Sequence, residues 1–93
     1  MQKEILTQGL LELPNGAGTL WLRDFSKVAP REANLGLMDS SGAAKWHAAE
    51  VQTLDKWVDV RLEGGRLFAG SFAGFVCELS LDDGTILSTK FAK

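Results

Sequence analysis

Few side chains in this 93-residue chain have the chemistry of catalysis or metal binding. His47 is the only histidine and Cys77 is the only cysteine. A zinc site takes three or four ligands from histidine, cysteine and acidic residues, and a cysteine nucleophile needs a base within hydrogen-bond reach. We therefore expect no metal site. We interpret His47 as an exposed or partly packed residue, and Cys77, which alternates in phase with Phe75 and Leu79, as a buried structural thiol.

Two further kinds of motif are interpreted as turns. Asp82 and Asp83 are adjacent in "LDDGT", whereas a calcium loop needs more oxygen ligands and a glycosidase needs two carboxyl groups across a cleft. The runs Gly16–Gly18 and Glu63–Gly65 lack the strand, helix and lysine of a phosphate-binding loop. We predict that the chain is not an enzyme and holds no cofactor. An enzyme would have to use the following residues: Arg23, Asp24, His47, Glu50 and Cys77.

Three tryptophans are many for so short a chain, and tryptophan is enriched where proteins bind partners. Trp21 has apolar neighbours on both sides, and we favour packing in the core or between subunits for Trp21 and Trp46. Trp57 stands at the entrance of a predicted strand, where core packing and exposure fit the pattern equally well. The candidate binding residues are Trp57, Trp21 and His47.

The second half of the chain has the pattern of an antiparallel meander. In "WVDVRL" the apolar residues at 58, 60 and 62 alternate with charged ones, as in a strand with one buried face. Turns containing glycine separate this run from three others, because glycine supplies the positive φ of tight hairpins. The predicted strands are Trp57–Leu62, Arg66–Ser71, Phe75–Leu79 and Thr85–Phe91.

The first half fits the same pattern, with two helical alternatives. Ala43–Trp57 is rich in helix formers at helical spacing, and Gln2–Leu13 could form a short helix. We predict one domain, residues 1–93, that is all-β: two four-stranded antiparallel meanders, closing as a small barrel or sandwich or by oligomerisation. An α+β fold with one helix at Ala43–Trp57 is the alternative. The predicted strands of this half are Leu10–Leu13, Thr19–Asp24, Asn34–Asp39 and Ala43–Ala48.

The two halves also resemble each other in sequence. "LMDSSGAAKW" aligns with "LSLDDGTILS", which places Leu37 on Leu79 and Gly42 on Gly84. The pseudo-repeats cover about residues 4–49 and 53–91, and a period of about 40–45 residues is that of a propeller blade.

The succession of a strand, D-x-x-G and a strand with tryptophan, as in "LGLMDSSGAAKWHA", resembles the blade repeat of quinoprotein-like β-propellers over about Asn34–Phe91. This resemblance implies that Trp46 docks neighbouring blades, and the second copy has Ser88 at the aligned position. Nothing matches a quinone-binding site, so no cofactor is implied. Structural roles are predicted for Trp46, Gly42, Gly84 and Cys77.

Charge and composition limit the partners that we expect. The net charge is −2, with acids and bases interspersed, whereas a nucleic-acid-binding domain normally has a basic face. No apolar run approaches the roughly 20 residues of a membrane span, and no signal peptide is recognisable. With a single cysteine, these features favour a reducing, cytoplasmic setting, without a nucleic-acid or membrane partner.

Exposed strand edges and apolar flanks favour association. We therefore predict a non-enzymatic module that binds a protein or ligand and self-associates as a homo-oligomer. An alternative is an immunity or antidote protein, of the kind found in bacteria, with a toxin as heteromeric partner. A small enzyme is the third hypothesis.

Overall fold

A computed structural model describes residues 3–29, 32–52 and 55–91 and places nine strands in them. Two single 3-10 turns, Pro14–Gly16 and Phe25–Lys27, are the only helical segments in this part of the chain. The strands are β1 (Lys3–Leu6), β2 (Gly9–Glu12), β3 (Thr19–Leu22), β4 (Leu35–Met38), β5 (Ala44–His47), β6 (Trp57–Glu63), β7 (Arg66–Ser71), β8 (Phe75–Leu79) and β9 (Ile86–Phe91).

The strands form two antiparallel sheets, one of five strands and one of four. β2 to β5 follow one another in the four-stranded sheet, and β6 to β9 follow one another in the five-stranded sheet, where β1 pairs with the other edge of β6. Each half of the chain is therefore a meander. The prediction of an all-β fold with two antiparallel meanders is confirmed, and the sheets do not close into a barrel.

The helical alternative for Ala43–Trp57 is wrong in the part that the structure describes. Ala44–His47 is strand β5, and residues 48–52 form no helix; Thr53 and Leu54 lie outside the described residues. Trp46 is buried between an exposed Lys45 and an exposed His47, which is the alternation of a strand with one buried face. Packing of the indole outweighs the helix propensity of the neighbouring residues.

The N-terminal stretch Gln2–Leu13 forms two strands rather than a helix. β1 pairs with β6 and β2 pairs with β3, so the chain crosses from one sheet to the other at residues 7 and 8. Gly9 begins β2 with a φ of 108°, a conformation that glycine adopts without steric cost. The helical alternative is wrong for residues 3–13, and Gln2 lies outside the described residues.

Both sheets turn an apolar face inward, and the two faces share one core. In β3, for example, Leu20 and Leu22 are buried while Thr19 and Trp21 are partly exposed. The molecule is 20 Å thick along its shortest axis, which fits two sheets packed about 10 Å apart. The buried apolar residues are Leu6, Leu13, Leu20, Leu22, Leu35, Leu37, Trp46, Ala48, Trp57, Val60, Leu67, Ala69, Cys77 and Leu79.

A single buried amide joins the two sheets. Asn34, 1% exposed, donates from Nδ2 to the carbonyl oxygens of Arg23 (3.0 Å) and Trp57 (2.6 Å). Its Oδ1 accepts from the backbone N–H of Trp57 at 3.1 Å. Arg23 follows β3 and Trp57 begins β6, so Asn34 satisfies backbone groups that neither sheet ladder pairs.

A second contact joins the sheets through Trp46. Its Nε1 donates to the carbonyl oxygen of Leu81 at 3.0 Å, and its ring covers Gly84, where a Cβ atom would lie 2.4 Å from indole Cε3. The strand register differs from the sequence alignment of the two halves, which places Trp46 on Ser88. Trp46 pairs with Leu37 in the first half, but the residue that pairs with Leu79 in the second half is Ile86. The turn before Ile86 is shorter by two residues, so a gap-free alignment misplaces β9.

Candidate functional site

The outer face of the four-stranded sheet carries a row of large side chains. Leu10 of β2 lies opposite Trp21 of β3, which lies opposite Gly36 of β4, which lies opposite His47 of β5. All four are on the side away from the core, because their strand neighbours Leu20, Leu22, Leu35, Leu37 and Trp46 point inward. The row therefore presents an aliphatic, an aromatic and an imidazole side chain to solvent.

Trp21 is held in place from three directions. Gly36 lies beneath the indole, and a Cβ atom on Gly36 would lie 2.4 Å from indole Cζ2. The guanidinium carbon of Arg23 lies 5.1 Å from the ring centroid, within the range of a cation–π contact. The ring of His47 meets the indole edge-on, with centroids 5.5 Å apart and planes at 70°. Trp21 is thus a positioned aromatic group on the surface.

Two shallow clefts open around Trp21 and Arg23. The larger, about 440 Å³, extends to the turn at Gly42, and the smaller, about 320 Å³, extends to the 3-10 turn at Lys27. Gly9, Leu22 and Arg23 line both clefts. We call the outer surface around the larger cleft the Trp21 face. Its side chains are those of Leu10, Trp21, Arg23, Met38, Ala44 and His47.

The acidic residues near this face accept hydrogen bonds from other residues of their own turns. Asp24 Oδ1 accepts from the hydroxyl (2.7 Å) and the backbone N–H (2.9 Å) of Ser26, and these hydrogen bonds hold the pKa of Asp24 below its usual value. The pKa of Asp39 is lowered in the same way by the hydroxyl of Ser41 and the backbone N–H of Ala43. Neither carboxylate is bonded to Arg23 or Lys27 among the described contacts.

Of the three predicted binding residues, two lie together and one is buried. Trp21 and His47 meet on the Trp21 face. Trp57 is 2% exposed, so the alternative in which Trp57 is a surface aromatic is wrong. The cause is a bulge between Trp57 and Asp59: the extra residue, Val58, turns both Trp57 and Val60 toward the core, whereas strict alternation would place them on opposite faces.

Of the residues that an enzyme would have to use, Arg23 and His47 both contact Trp21, but His47 and Cys77 lie apart. Cys77 is fully buried on the inner face of the five-stranded sheet, with its thiol 3.6 Å from the hydroxyl of Thr89. His47 lies on the outer face of the opposite sheet, so the core separates it from Cys77. In residues 3–29, 32–52 and 55–91, no group of three or more histidine, cysteine or acidic side chains could hold a metal ion.

Sequence reasoning did not identify Leu10, Gly36, Met38 and Arg23 as neighbours of Trp21. The alternation in "TLWLRD" could have placed Arg23 beside Trp21, since both are opposite in phase to the buried leucines. The contributions of the other strands depend on cross-strand register, which has no local signal.

The free edge strand β9 is a second exposed feature. It pairs only with β8 among the described strands, and its last five residues are exposed, with Leu87 at 60% and Phe91 at 57%. The ring of Phe91 contacts Phe75, with centroids 5.2 Å apart. Such an edge offers unpaired backbone groups and apolar side chains to another strand.

Among the described residues, no helix is long and apolar enough to cross a membrane. Comparisons with protein-family models, with curated proteins and with solved structures give no match for this chain.

Proposed function

We propose that this chain is a non-catalytic interaction module that binds a protein partner on the Trp21 face. The observation that carries the proposal is the positioned Trp21, flanked by Arg23 and by a Leu10 side chain that is 64% exposed. Tryptophan and arginine dominate the binding energy of protein interfaces when they occupy the centre of the contact. Polar residues surround this centre, as in the rim of an interface; they include Glu12, Thr19 and Lys45.

The substitution Leu10→Gln, which changes no charge, tests the proposal without disturbing the core. Proteins captured from the source cells by the wild-type chain would be identified by mass spectrometry, purified, and titrated against wild type and variant. We expect Leu10→Gln to weaken the identified complex at least tenfold, because a desolvated amide would replace an apolar anchor at the centre of the contact.

Ile5→Gln is the matched control. Ile5 is 58% exposed and lies in β1, in the five-stranded sheet, so the same loss of an exposed aliphatic side chain is made on the other sheet. Retained binding with Ile5→Gln supports the proposal. Equal affinities of Leu10→Gln and the wild type would show that the Trp21 face is not the contact surface.

Self-association along β9 is a second candidate, favoured by its exposed Leu87 and Phe91. In a two-fold antiparallel pairing centred on Thr89, Leu87 lies opposite Phe91 of the second copy and Lys90 lies opposite Ser88. This register pairs the exposed apolar side chains and puts no like charges opposite each other.

Light scattering across a concentration series tests this self-association. We expect a mass above that of the 10.1 kDa chain for the wild type and for Leu10→Gln, and a monomer for Leu87→Lys; a monomeric wild type would contradict it.

The antidote hypothesis stays a prediction and concerns the identity of the partner rather than the surface. A toxin among the proteins captured by the wild type and lost with Leu10→Gln would support it. A toxin captured equally by both would place its contact elsewhere on the chain.

A further inference from the structure

The two clefts around Arg23 form one groove that crosses the end of the four-stranded sheet. They share Gly9, Leu22 and Arg23, so Arg23 lies where they meet. One end of the groove is mainly apolar, and the other carries Lys27 and Asp24. We call this feature the Arg23 groove. It differs from the rest of the Trp21 face because it joins an aromatic surface to a charged one.

The Arg23 groove contains two cations, Arg23 and Lys27, and one carboxylate, Asp24, so its net charge is positive. On the outer face of the other sheet, Arg66 makes two bonds to Glu78, at 2.7 and 3.0 Å. Arg23 and Lys27 make no such pair within the described part of the chain; Asp24 is bonded through Oδ1 to Ser26, and the charge of Lys27 adds to the lowering of its pKa. A further anionic group therefore complements the excess positive charge at this end of the groove.

The apolar end of the Arg23 groove adds a second requirement. Leu10, Trp21 and Met38 line it, and the Trp21 indole is fixed by Gly36 and Arg23. A preformed aromatic surface loses little entropy when a ligand side chain packs on it. The occupant must thus present an apolar or aromatic side chain close to its negative charge.

The size of the sheet favours a short segment over a broad surface. Four strands of four residues each form a patch of about 19 by 14 Å, or about 260 Å². A stable interface between globular partners buries about 800 Å² on each side. The patch is therefore too small for a stable homodimer built on this face, but clefts of about 440 and 320 Å³ can hold a few side chains.

We infer that the Arg23 groove binds a short acidic segment of a partner protein in which an apolar or aromatic side chain alternates with carboxylates. The carboxylates face Arg23 and Lys27, and the apolar side chain packs between Leu10 and Met38 on the Trp21 indole. This inference rests on the proposed function and names the class of partner. A surface charge pair is screened by salt, so the binding weakens as ionic strength rises.

Three acetylated and amidated pentapeptides test the inference on the full ¹⁵N-labelled chain: Glu-Phe-Glu-Leu-Glu, the basic Lys-Phe-Lys-Leu-Lys and the acidic Glu-Ser-Glu-Ser-Glu. At millimolar concentration, we expect only the first to shift the Trp21 indole N–H together with the amides of Arg23 and Lys27. Raising the ionic strength from about 0.01 M to about 1 M shortens the Debye length from about 30 to about 3 Å and should remove most of this binding.

The double variant Arg23→Gln with Lys27→Gln should weaken binding of the first peptide about tenfold, at about two- to fivefold for each exposed charge. Lys90→Gln, which removes an exposed cation on β9, is the control and should leave the affinity unchanged.

If the basic peptide shifts the same amides equally, the inference of an acidic partner is wrong while the proposed contact surface stands. If Glu-Ser-Glu-Ser-Glu binds as well as the first peptide, the apolar requirement is wrong. If no peptide shifts any residue of the Trp21 face, this inference is overturned, whereas the proposed function is decided separately by the affinity of the Leu10 variant for the captured partner.

Discussion

Replacing Asn34 by leucine should weaken the contact between the two sheets and lower the free energy of unfolding. The substitution removes the three side-chain hydrogen bonds to Arg23 and Trp57 and leaves the backbone N–H of Trp57 and two carbonyl groups without these partners. A buried polar group without a partner costs about 1–3 kcal/mol. For three groups, with some relaxation, we expect the free energy of unfolding to fall by about 3–5 kcal/mol. Small domains are stable by only about 5–15 kcal/mol.

Urea unfolding followed by tryptophan fluorescence measures this loss. With a urea dependence of about 1–1.5 kcal/mol per molar, the midpoint should fall by about 2–5 M. Gln52→Leu is the control, because it also introduces leucine in place of an amide side chain, but at an exposed position. It should change the midpoint little. A loss below about 1 kcal/mol for Asn34→Leu would refute the view that this amide holds the sheets together.

A second substitution at the same site adds a pH dependence. Asn34→Asp keeps the acceptor for the Trp57 N–H but points an oxygen at the carbonyl groups of Arg23 and Trp57. That repulsion and the burial raise the pKa of the introduced carboxyl group above its usual value of about 3.9. The folded state then holds a proton that the unfolded state has released, so the stability of this variant falls as pH rises between the two pKa values. A difference from the wild type that stays constant with pH would contradict this expectation.

Gly84→Ala should lower the free energy of unfolding by about 2–4 kcal/mol, because its methyl group would lie 2.4 Å from the Trp46 indole at a positive φ. Gly42→Ala, where the φ is also positive but the space is open, should cost about 1 kcal/mol, and equal losses in urea unfolding would refute the difference. Trp21→Phe should remove most of the fluorescence that iodide quenches, since the other two indoles are 7% and 2% exposed; an unchanged quenching curve would place Trp21 inside. The carboxyl group of Asp39, whose pKa is lowered by the hydroxyl and amide hydrogen bonds of its turn, should titrate below 3.8 by NMR. Its contribution to stability is present above the unfolded pKa and is lost as pH falls through the lowered pKa, and an ordinary titration midpoint would show that the turn is open in solution.

Strands with strict alternation and glycine turns were predictable from sequence. Predicted strands Arg66–Ser71 and Phe75–Leu79 coincide with β7 and β8, because period-two alternation and hairpin turns are local signals. The stretch Gln2–Leu13 was not predictable in the same way. Its division into β1 and β2 depends on partners in different sheets, and no local pattern identifies those partners.

The candidate site shows the same division between local and non-local information. Trp21 and His47 were identified by residue type, but their meeting depends on the register of β3, β4 and β5. The burial of Trp57 depends on a single bulged residue, which reverses the alternation of the strand, whereas its place at the strand entrance fits core packing and exposure equally well. Residue type thus indicated the candidates, and register decided which of them share a surface.

The pairing of β1 with β6 also determines when the five-stranded sheet can form during synthesis. Leu6 pairs with Val60, so β1 emerges from the ribosome more than 50 residues before its partner strand. The meander of β2 to β5 lies wholly between them and needs only neighbouring hairpins, which form quickly, whereas closing so long a loop is slow. Until β1 docks, the edge of β6 is open to the β1 strand of any nascent neighbour. Exchange of β1 between chains during translation on polysomes is therefore the misassembly to which this topology is most exposed.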